Sequence, residues 1–274
     1  MADPERWEHV FAGGGIAASL LALRLGRDGV GPMLVIDPTP EDPRTFVYWA
    51  DRPLDLDAYV EHDWTKLRLA DATGTLHRAL GPYRYRLVRA EVLHAAARRA
   101  VEASGGRVIC GRVTAIEDGP EAAVVVVDGA RYPARWVYDS RPLDPPQGLV
   151  QGIVGAWVET EDDAFEPDTA TLMDFRAPQE TGAVRFFHVM PTSARRALVT
   201  GVTFADEHRP IDLDAYLSQV LGLAHWRITG REGGSTRMTD HRFPRRTGTR
   251  VLTLGNAGGR LKASTGYALV RIHD

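Results

Sequence analysis

A glycine-rich turn near the start of the chain has the spacing of a dinucleotide-binding fingerprint. The pattern G-x-G-x-x-(G/A) is met by Gly13, Gly15 and Ala18. The first glycine turns without a Cβ clash, the second lets the backbone approach a pyrophosphate, and the small third residue lets a helix pack closely on a strand. Asp37 ends a second apolar run, where a carboxylate accepts hydrogen bonds from ribose hydroxyls. The alternative is a glycine turn in an α/β fold that binds nothing.

The surrounding sequence predicts the elements that position these residues. Residues 10–12 are β-prone, residues 19–26 form an apolar helical run that Gly26 and Gly29 can end, and residues 33–36 form a second short strand. The helix N-terminus would offer free N–H groups and a partial positive charge to phosphates. We therefore expect a strand, a tight turn, a helix and a second strand.

The sequence after the second strand favours a flavin over a nicotinamide dinucleotide. A dehydrogenase would continue with alternating strands and helices. Instead, a proline-rich stretch over residues 38–43 leads to the segment Arg-Thr-Phe-Val-Tyr-Trp at 44–49 and to several short β-like pieces. This interrupted layout is typical of flavin-binding proteins with an inserted substrate domain, so FAD is the expected cofactor.

The pattern predicts an α/β protein, with a Rossmann-type FAD-binding domain and an inserted mixed or antiparallel β-sheet substrate region. We expect the FAD-binding domain over residues 1–45, 85–145 and 245–274, and the substrate region over 46–84 and 146–244. A helix is predicted at 89–103 and an amphipathic helix at 212–223. The residues expected to contact the cofactor are Gly13, Gly15, Ala18, Asp37, Arg44, Asp139, Arg141, Gly255, Gly258 and Gly259.

Composition excludes several classes of protein. Hydrophobic residues make up 44% and charged residues 25%, which excludes a disordered chain. The single cysteine, Cys110, excludes an internal disulfide and a cysteine-rich metal site, and the histidines show no metal-ligand spacing. A net charge of −3 without blocks of like charge gives no sign of nucleic-acid binding. No apolar run is long enough for a membrane span, and no signal peptide is visible, so we expect a cytoplasmic protein.

An ordered series of short motifs resembles the flavin-dependent lycopene cyclases, and this resemblance covers most of the chain. The Leu-Met-Asp-Phe-Arg and Ser-Thr-Gly-Tyr segments are its most specific parts. The series comprises Gly13, Gly14, Gly15 and Ala18; residues 44–49; Asp139, Ser140 and Arg141; Gln151, Gly155 and Trp157; residues 172–176 with Gln179; Met238, Thr239 and Asp240; and Gly258 and Gly259 followed by residues 264–267.

The resemblance implies an isomerisation that needs reduced FAD but involves no net redox change, with NAD(P)H as a candidate reductant. An acid protonates a terminal double bond of a linear polyene, an internal double bond attacks the carbocation, and loss of a proton completes a ring. A cation in an apolar pocket is costly unless preorganised negative charge faces it. An anionic reduced flavin would supply that charge, and a second possibility is that it donates the proton.

The sequence departs from the family pattern where an acid is expected. Many members carry a segment like Leu-Val-Glu-x-Thr, but the glutamate position here is Thr200, whose hydroxyl cannot protonate an alkene. The candidate catalytic acids are therefore Asp174, Glu232 and Asp240. Asp174 is either a buried general acid or a carboxylate paired with Arg176, and Asp240 is either functional or a turn residue. Family members also usually continue well beyond the segment that matches residues 264–267.

Three interpretations follow from these departures. The chain is a cyclase relative for a more polar terpenoid, a carotenoid cyclase lacking its C-terminal part, or a flavoprotein relative without cyclase activity. A flavin monooxygenase or oxidoreductase is the competing enzyme class. The expected ligand is a hydrophobic isoprenoid. An apolar face near the C-terminus would invite a partner chain or peripheral membrane contact.

Overall fold

The computed structural model describes residues 6–39, 44–142 and 147–274. The chain divides into two compact units. Unit 1 comprises residues 1–43, 89–144 and 241–274, and unit 2 comprises residues 44–88 and 145–240. These boundaries differ from the sequence-based ones by no more than a few residues at each crossing. The assignment of cofactor to one unit and substrate to the other stays a prediction.

Unit 1 is built on a mixed sheet with the strand order β8-β2-β1-β11-β10-β9, and β17 pairs with β11. The pairs β1–β2, β1–β11, β2–β8 and β11–β17 are parallel, whereas β10 is antiparallel to its neighbours. The carboxyl ends of the parallel strands therefore meet at one edge. The strands are β1 (Trp7–Ala12), β2 (Met33–Asp37), β8 (Arg107–Cys110), β9 (Val113–Glu117), β10 (Ala123–Val127), β11 (Ala130–Asp139) and β17 (Val251–Thr253).

Three helices belong to unit 1 among the described residues: α1 (Ile16–Arg27), α2 (Ala90–Ala103) and α4 (Leu269–His273). The helices α1 and α2 pack together over β1 and β2, because both present small and branched apolar residues to the sheet. The buried residues of this layer are Phe11, Ala18, Ala22, Met33, Val35, Ala97 and Val101. A second apolar cluster forms around Val10, Leu34, Val125 and Val137.

Unit 2 contains a larger sheet with the strand order β16-β12-β15-β14-β13-β5-β6 and a small sheet with the order β3-β7-β4. The larger sheet is antiparallel except for the parallel pair β5–β13. Its strands are β5 (Lys66–Asp71), β6 (Gly74–Ala79), β12 (Leu149–Glu159), β13 (Thr169–Asp174), β14 (Val184–Ser193), β15 (Arg196–Ala205) and β16 (Arg227–Met238). The small sheet is formed by β3 (Thr45–Ala50), β4 (Val60–Trp64) and β7 (Arg84–Arg89), with a 3₁₀ turn at Asp55–Tyr59.

Residues 212–223 do not form the single amphipathic helix that the sequence predicts. The structure has a short α-helix, α3 (Leu213–Ala215), followed by a π-helical turn over Tyr216–Val220. The wider turn accompanies the stacking of the Tyr216 ring on Phe187, with centroids 3.8 Å apart. Tertiary packing therefore sets the geometry of this segment over the sheet.

The two faces of the larger sheet follow from the strand register. Residues paired directly across antiparallel strands share a face. One face, here called the Val199 face, presents Ala156, Val199, Val189 and Phe187, and α3 and the π-helical turn cover it. The opposite face, here called the Thr200 face, presents Glu232, Gly155, Thr200 and His188.

Candidate functional site

The N-terminus of α1 is an open end for an anion. Its N-cap, Gly15, makes no side-chain cap, and the first turn carries no acidic residue. A Cβ added to Gly15 would meet no atom within 4 Å. Unpartnered N–H groups at such a helix end, together with the helix dipole, favour a bound phosphate. This open end is therefore a suitable site for a pyrophosphate.

The first glycine of the turn is required by its backbone and by a close neighbour. Gly13 has φ +106°, and its N–H donates to the Ile36 carbonyl at 2.8 Å. A Cβ on Gly13 would lie 2.4 Å from the Ser140 Oγ, which donates to the Ala12 and Gly13 carbonyls. Ser140 thus fixes the turn. Sequence reasoning placed it in a motif but not among the site residues, because its role depends on the parallel pairing of β1 with β11.

Asp37 ends β2 beside the glycine turn, as the fingerprint requires. Its Oδ2 accepts the Gly14 N–H at 2.5 Å, and its Oδ1 accepts the Thr39 N–H at 2.7 Å. A carboxylate has about four lone-pair positions, so this geometry leaves capacity for ribose hydroxyls. The contact with Gly14 also orients the carboxylate toward the turn.

A pocket lies between α1, α2 and the end of β2. Gly14, Asp37, His94 and Arg98 are among the residues that line it. The Ser19 hydroxyl and the His94 Nδ1 are hydrogen-bonded at 2.7 Å, which fixes the imidazole at the pocket wall. His94 and Arg98 were not predicted as site residues, since nothing in a helical repeat of alanines and arginines distinguishes them from a solvated helix face.

The other cofactor residues predicted in unit 1 lie at the same edge of the sheet. Asp139 ends β11 and holds Arg141 through the backbone N–H at 3.1 Å and two guanidinium contacts of 2.9 Å. This pairing raises the pKa of Arg141. The second glycine turn follows β17, and a Cβ on Gly255 would lie 3.2 Å from the Ala17 Cβ. Gly258 lies inside this turn, where a Cβ would meet the Thr253 carbonyl oxygen at 2.7 Å, and Gly259 has φ +71°.

Arg44 lies in unit 2, although it was assigned to the FAD-binding domain. Its guanidinium lies 5.8 Å from the centroid of the Phe46 ring. From the sequence, Arg44 pairs either with a phosphate or with one of the nearby acids Glu41 and Asp42, and both acids lie outside the described residues. A phosphate-binding role for Arg44 stays a prediction.

Asp174 is fully buried on the Val199 face and is paired with Arg176. It accepts the Arg176 Nη2 at 2.6 Å, the Arg176 Nε at 2.9 Å and the Tyr216 hydroxyl at 2.8 Å. Burial alone would raise the pKa of Asp174, but the hydrogen bonds from Arg176 and Tyr216 outweigh it and hold the pKa below its usual value. An ionised carboxylate has no proton to give. The structure thus favours the ion-pair interpretation of Asp174 over the general-acid one.

The other two candidate acids, Glu232 and Asp240, differ in burial. Glu232 is half-buried on the Thr200 face and accepts the Thr45 hydroxyl at 2.7 Å. A Cβ on Gly155 would lie 3.1 Å from both the Glu232 Cγ and the Thr200 Oγ1. Glu232 is therefore the candidate acid beside the position where the family pattern expects a glutamate. Asp240 is exposed after the end of β16.

Two further features constrain the chemistry of unit 2. Arg237 of β16 lies opposite Val150 of β12, which places it on the Val199 face. Its guanidinium therefore does not belong to the Thr200 face. Trp64 is fully buried, packs against Tyr85 with the ring centroids 5.5 Å apart, and donates to the Pro191 carbonyl at 2.8 Å. Its contacts are those of a core residue.

The part of the chain that the structure describes holds no cluster of three or more histidine, cysteine or acidic side chains arranged for a metal ion. Over the same residues, every helix is too short or too polar to cross a bilayer.

Solved structures with the same architecture include several flavin enzymes. Halogenase PltM in complex with phloroglucinol and FAD has a TM-score of 0.67 at 13% identity, over 97% of this chain and 67% of that chain. A flavoprotein/dehydrogenase from Cytophaga hutchinsonii has a TM-score of 0.68 at 13% identity, over 98% and 75%. The flavin-dependent monooxygenase PieE in complex with FAD and substrate has 0.66 at 18% identity, over 93% and 54%. The chain has the α/β fold of FAD-binding flavoproteins, which confirms the predicted fold class.

Sequence comparison identifies the family to which the chain belongs within the FAD-binding flavoproteins. The family model described as lycopene cyclase protein matches residues 9–273, nearly the whole chain. The chain therefore belongs to the lycopene cyclase protein family, as the motif series indicated. No curated protein matches it by sequence.

Proposed function

We propose that unit 1 binds FAD and that unit 2 holds an isoprenoid whose cyclisation begins with a proton from Glu232. The proposal that unit 1 binds FAD rests on the open N-terminus of α1, where a Cβ added to Gly15 would meet no atom within 4 Å. Family membership and the FAD-bound structures of the same fold support the same cofactor.

The residues of unit 1 fit the parts of the dinucleotide. The first-turn N–H groups of α1 would hold the pyrophosphate, and Asp37 would accept from ribose hydroxyls. His94 and Arg98 supply polar walls to the pocket beside Asp37. When bound in its reduced form, with NAD(P)H as reductant, FAD supplies a negative charge that offsets a substrate cation.

The reaction we propose conserves atoms and electrons. The Glu232 carboxyl gives its proton to a terminal alkene carbon, and the π electrons of an internal double bond form the new carbon–carbon bond. The Glu232 carboxylate then takes a proton from the carbon next to the new cation, which restores a double bond and returns Glu232 to its acid form. Product and substrate are isomers, and neither is oxidised or reduced.

Glu232 is the proposed acid because it lies beside Thr200 across Gly155. Asp174 is unsuitable because Arg176 and Tyr216 hold it as a carboxylate. General-acid residues contribute about 10²–10⁴ in rate. We therefore expect Glu232→Gln to lower product formation by at least about 100-fold, while the bound flavin absorbance is unchanged.

The assay uses reduced FAD without oxygen and measures the mass of the product from a linear isoprenoid. The control is Glu207→Gln, which changes an exposed glutamate paired with Arg209. A product of unchanged mass that depends on Glu232 supports the proposal. Full turnover by Glu232→Gln would remove Glu232 from the acid role.

A flavin monooxygenase is the second candidate function. The likeness of the fold to the monooxygenase PieE favours it. This function requires oxygen and a reductant in every turnover, and its product gains an oxygen atom. Substrate-stimulated consumption of NAD(P)H and oxygen would support it, whereas anaerobic formation of an isomer would exclude it as the main activity.

A further inference from the structure

The Thr200 face carries a row of polar residues across its central strands. The register places Glu232 of β16 opposite Gly155 of β12, Gly155 opposite Thr200 of β15, and Thr200 opposite His188 of β14. Directly opposite side chains on an antiparallel pair have Cβ atoms about 5 Å apart. Gly155 leaves the space between Glu232 and Thr200 without a side chain.

Two atoms of this row are buried without a hydrogen-bond partner within the described residues. They are the Thr200 Oγ1 and the His188 Nδ1. The Thr200 side chain is only 6% exposed. Buried polar groups are nearly always hydrogen-bonded, so two adjacent unpartnered groups require an explanation.

Apolar residues surround the two atoms along the same face. Leu198 and Val202 flank Thr200 on β15, and Phe186 and Met190 flank His188 on β14. All four are buried, and the Phe186 ring meets His188 edge-on at 5.2 Å. The row is therefore a small polar spot within an apolar surface.

The two side chains suit a ligand oxygen. A threonine hydroxyl donates one hydrogen bond and accepts others, and a neutral imidazole has one donor and one acceptor nitrogen. Burial lowers the pKa of His188 to about 4, although a hydrogen bond with the Leu172 backbone acts in the opposite direction. The ring is therefore neutral at pH 7. Because the other ring nitrogen donates to the Leu172 backbone, the neutral ring presents Nδ1 as an acceptor. A saturated or polyene hydrocarbon would leave both groups unpaired, whereas a ligand hydroxyl can donate to His188 Nδ1 and accept from the Thr200 hydroxyl.

We propose that Thr200 and His188 together bind a hydroxyl group of the substrate, so that the substrate is an isoprenoid alcohol rather than a hydrocarbon. The inference rests on the proposed function, since it assigns an isoprenoid to unit 2. It gives Thr200 a role in substrate selection at a position where a hydroxyl cannot act as the acid.

The test compares farnesol with β-farnesene, an alcohol and a hydrocarbon of similar carbon skeleton, by titration calorimetry on the purified chain with and without added FAD. Sites built to hydrogen-bond a ligand oxygen discriminate against the analogue that lacks it. We expect the unchanged chain to bind farnesol at least about tenfold more tightly than β-farnesene. Thr200→Val and His188→Leu should reduce this preference to within about twofold.

Thr203→Val is the matched control. Thr203 lies on the same strand, is 1% exposed and also has an unpartnered hydroxyl, but it is on the Val199 face, where a Cβ on Gly152 would lie 2.8 Å from its Oγ1. We expect Thr203→Val to keep the preference for farnesol. Because Val and Thr have nearly the same shape, both variants should fold.

The outcomes separate this inference from the proposed function. Equal affinity for the two probes, no binding of either, or an equal loss of preference in Thr203→Val would overturn the inference. Bound-flavin absorbance is read in the same samples. Failure to bind FAD with the farnesol preference intact would contradict the cofactor proposal and leave the Thr200–His188 site standing.

Discussion

At the scale of single residues, Asp174 shows why an acid cannot be identified from its sequence neighbours alone. The flanking Met173 and Phe175 indicate burial, and burial by itself raises a carboxyl pKa. The structure adds Arg176 and Tyr216, and their hydrogen bonds reverse the direction of the shift. The Arg176 partner was one of the two interpretations open from sequence, but the Tyr216 contact joins residues far apart in the chain.

We expect the main effect of Asp174→Asn to be a lower free energy of unfolding, rather than a loss of catalytic activity. The amide cannot accept from both Arg176 and the buried Tyr216 hydroxyl as the carboxylate does, so one of these donors loses its partner at a cost of about 2 kcal/mol. Urea unfolding at pH 7 measures the change. Asp163→Asn is the control, because Asp163 is paired with Arg195 at an exposed site, where we expect less than about 0.5 kcal/mol. Equal effects of the two variants would contradict the role of Asp174 in the core.

The same carboxylate gives a pH dependence of known sign. The folded state holds the pKa of Asp174 below its unfolded value, so its stabilisation is complete above the unfolded pKa of about 3.9. It is lost as the pH falls through the folded pKa. The stability difference between the parent chain and Asp174→Asn should therefore be constant from pH 5 to 7 and shrink below about pH 4.

His188 acts in a separate pH window. Its folded pKa is about 4, whereas the unfolded chain takes up a proton near 6.5. The unfolded state therefore gains a proton first, and the free energy of unfolding should fall by about 3 kcal/mol as the pH is lowered from 6.5 to 4. His188→Leu should remove this part of the pH profile, while the exposed His77→Leu should keep it. A profile unchanged in His188→Leu would show that the ring is not buried in its neutral form.

At the scale of the elements, α1 illustrates a glycine whose role depends on packing. The sequence interpretation gave Gly26 and Gly29 as residues that can end the helix, but α1 continues through Gly26 to Arg27. Gly29, with φ +68°, follows the helix end. A Cβ on Gly26 would lie 2.9 Å from the Ala100 Cβ, so Gly26 allows α1 and α2 to approach closely.

We expect Gly26→Leu to lower the free energy of unfolding by about 2 kcal/mol, although leucine has the better helix propensity. The larger side chain must displace α2 or adopt a strained rotamer. Thermal unfolding measures the loss, with Ala95→Leu on the exposed face of α2 as control. An increase in stability in Gly26→Leu would contradict the close helix contact.

Most strands and both long helices were predictable from the sequence, because their signals are local. The α2 helix begins one residue after its predicted start, and β2 begins at its predicted first residue and ends one residue later, at Asp37. The π-helical turn within residues 212–223 was not predictable from the sequence, since it accompanies the stacking of Tyr216 on Phe187. The Thr200–His188 row also lay beyond sequence reasoning, because it exists only through the register of three strands.

At the scale of the whole molecule, the chain returns twice to unit 1 and once to unit 2. Unit 1 is assembled from three segments and unit 2 from two, so neither is a continuous stretch of sequence. The break in the Rossmann pattern after Asp37 was the signal from which an inserted region was predicted. A partner chain or membrane contact near the C-terminus stays a prediction.

The proposed binding of FAD depends on the open end of α1, which would hold the diphosphate. Gly15 has φ −63° and open space in the Cβ direction, so Gly15→Val should fold while its side chain occupies the phosphate approach. Gly234→Val is the matched control, since a Cβ there also meets no atom within 4 Å.

The most direct measurement is a titration of the purified chain and both variants with FAD, followed by flavin fluorescence and absorbance. We expect the parent chain and Gly234→Val to bind FAD alike, and Gly15→Val to lose at least about tenfold in affinity. A parent chain that takes up no FAD, or a Gly15→Val variant that binds it equally well, would contradict the account.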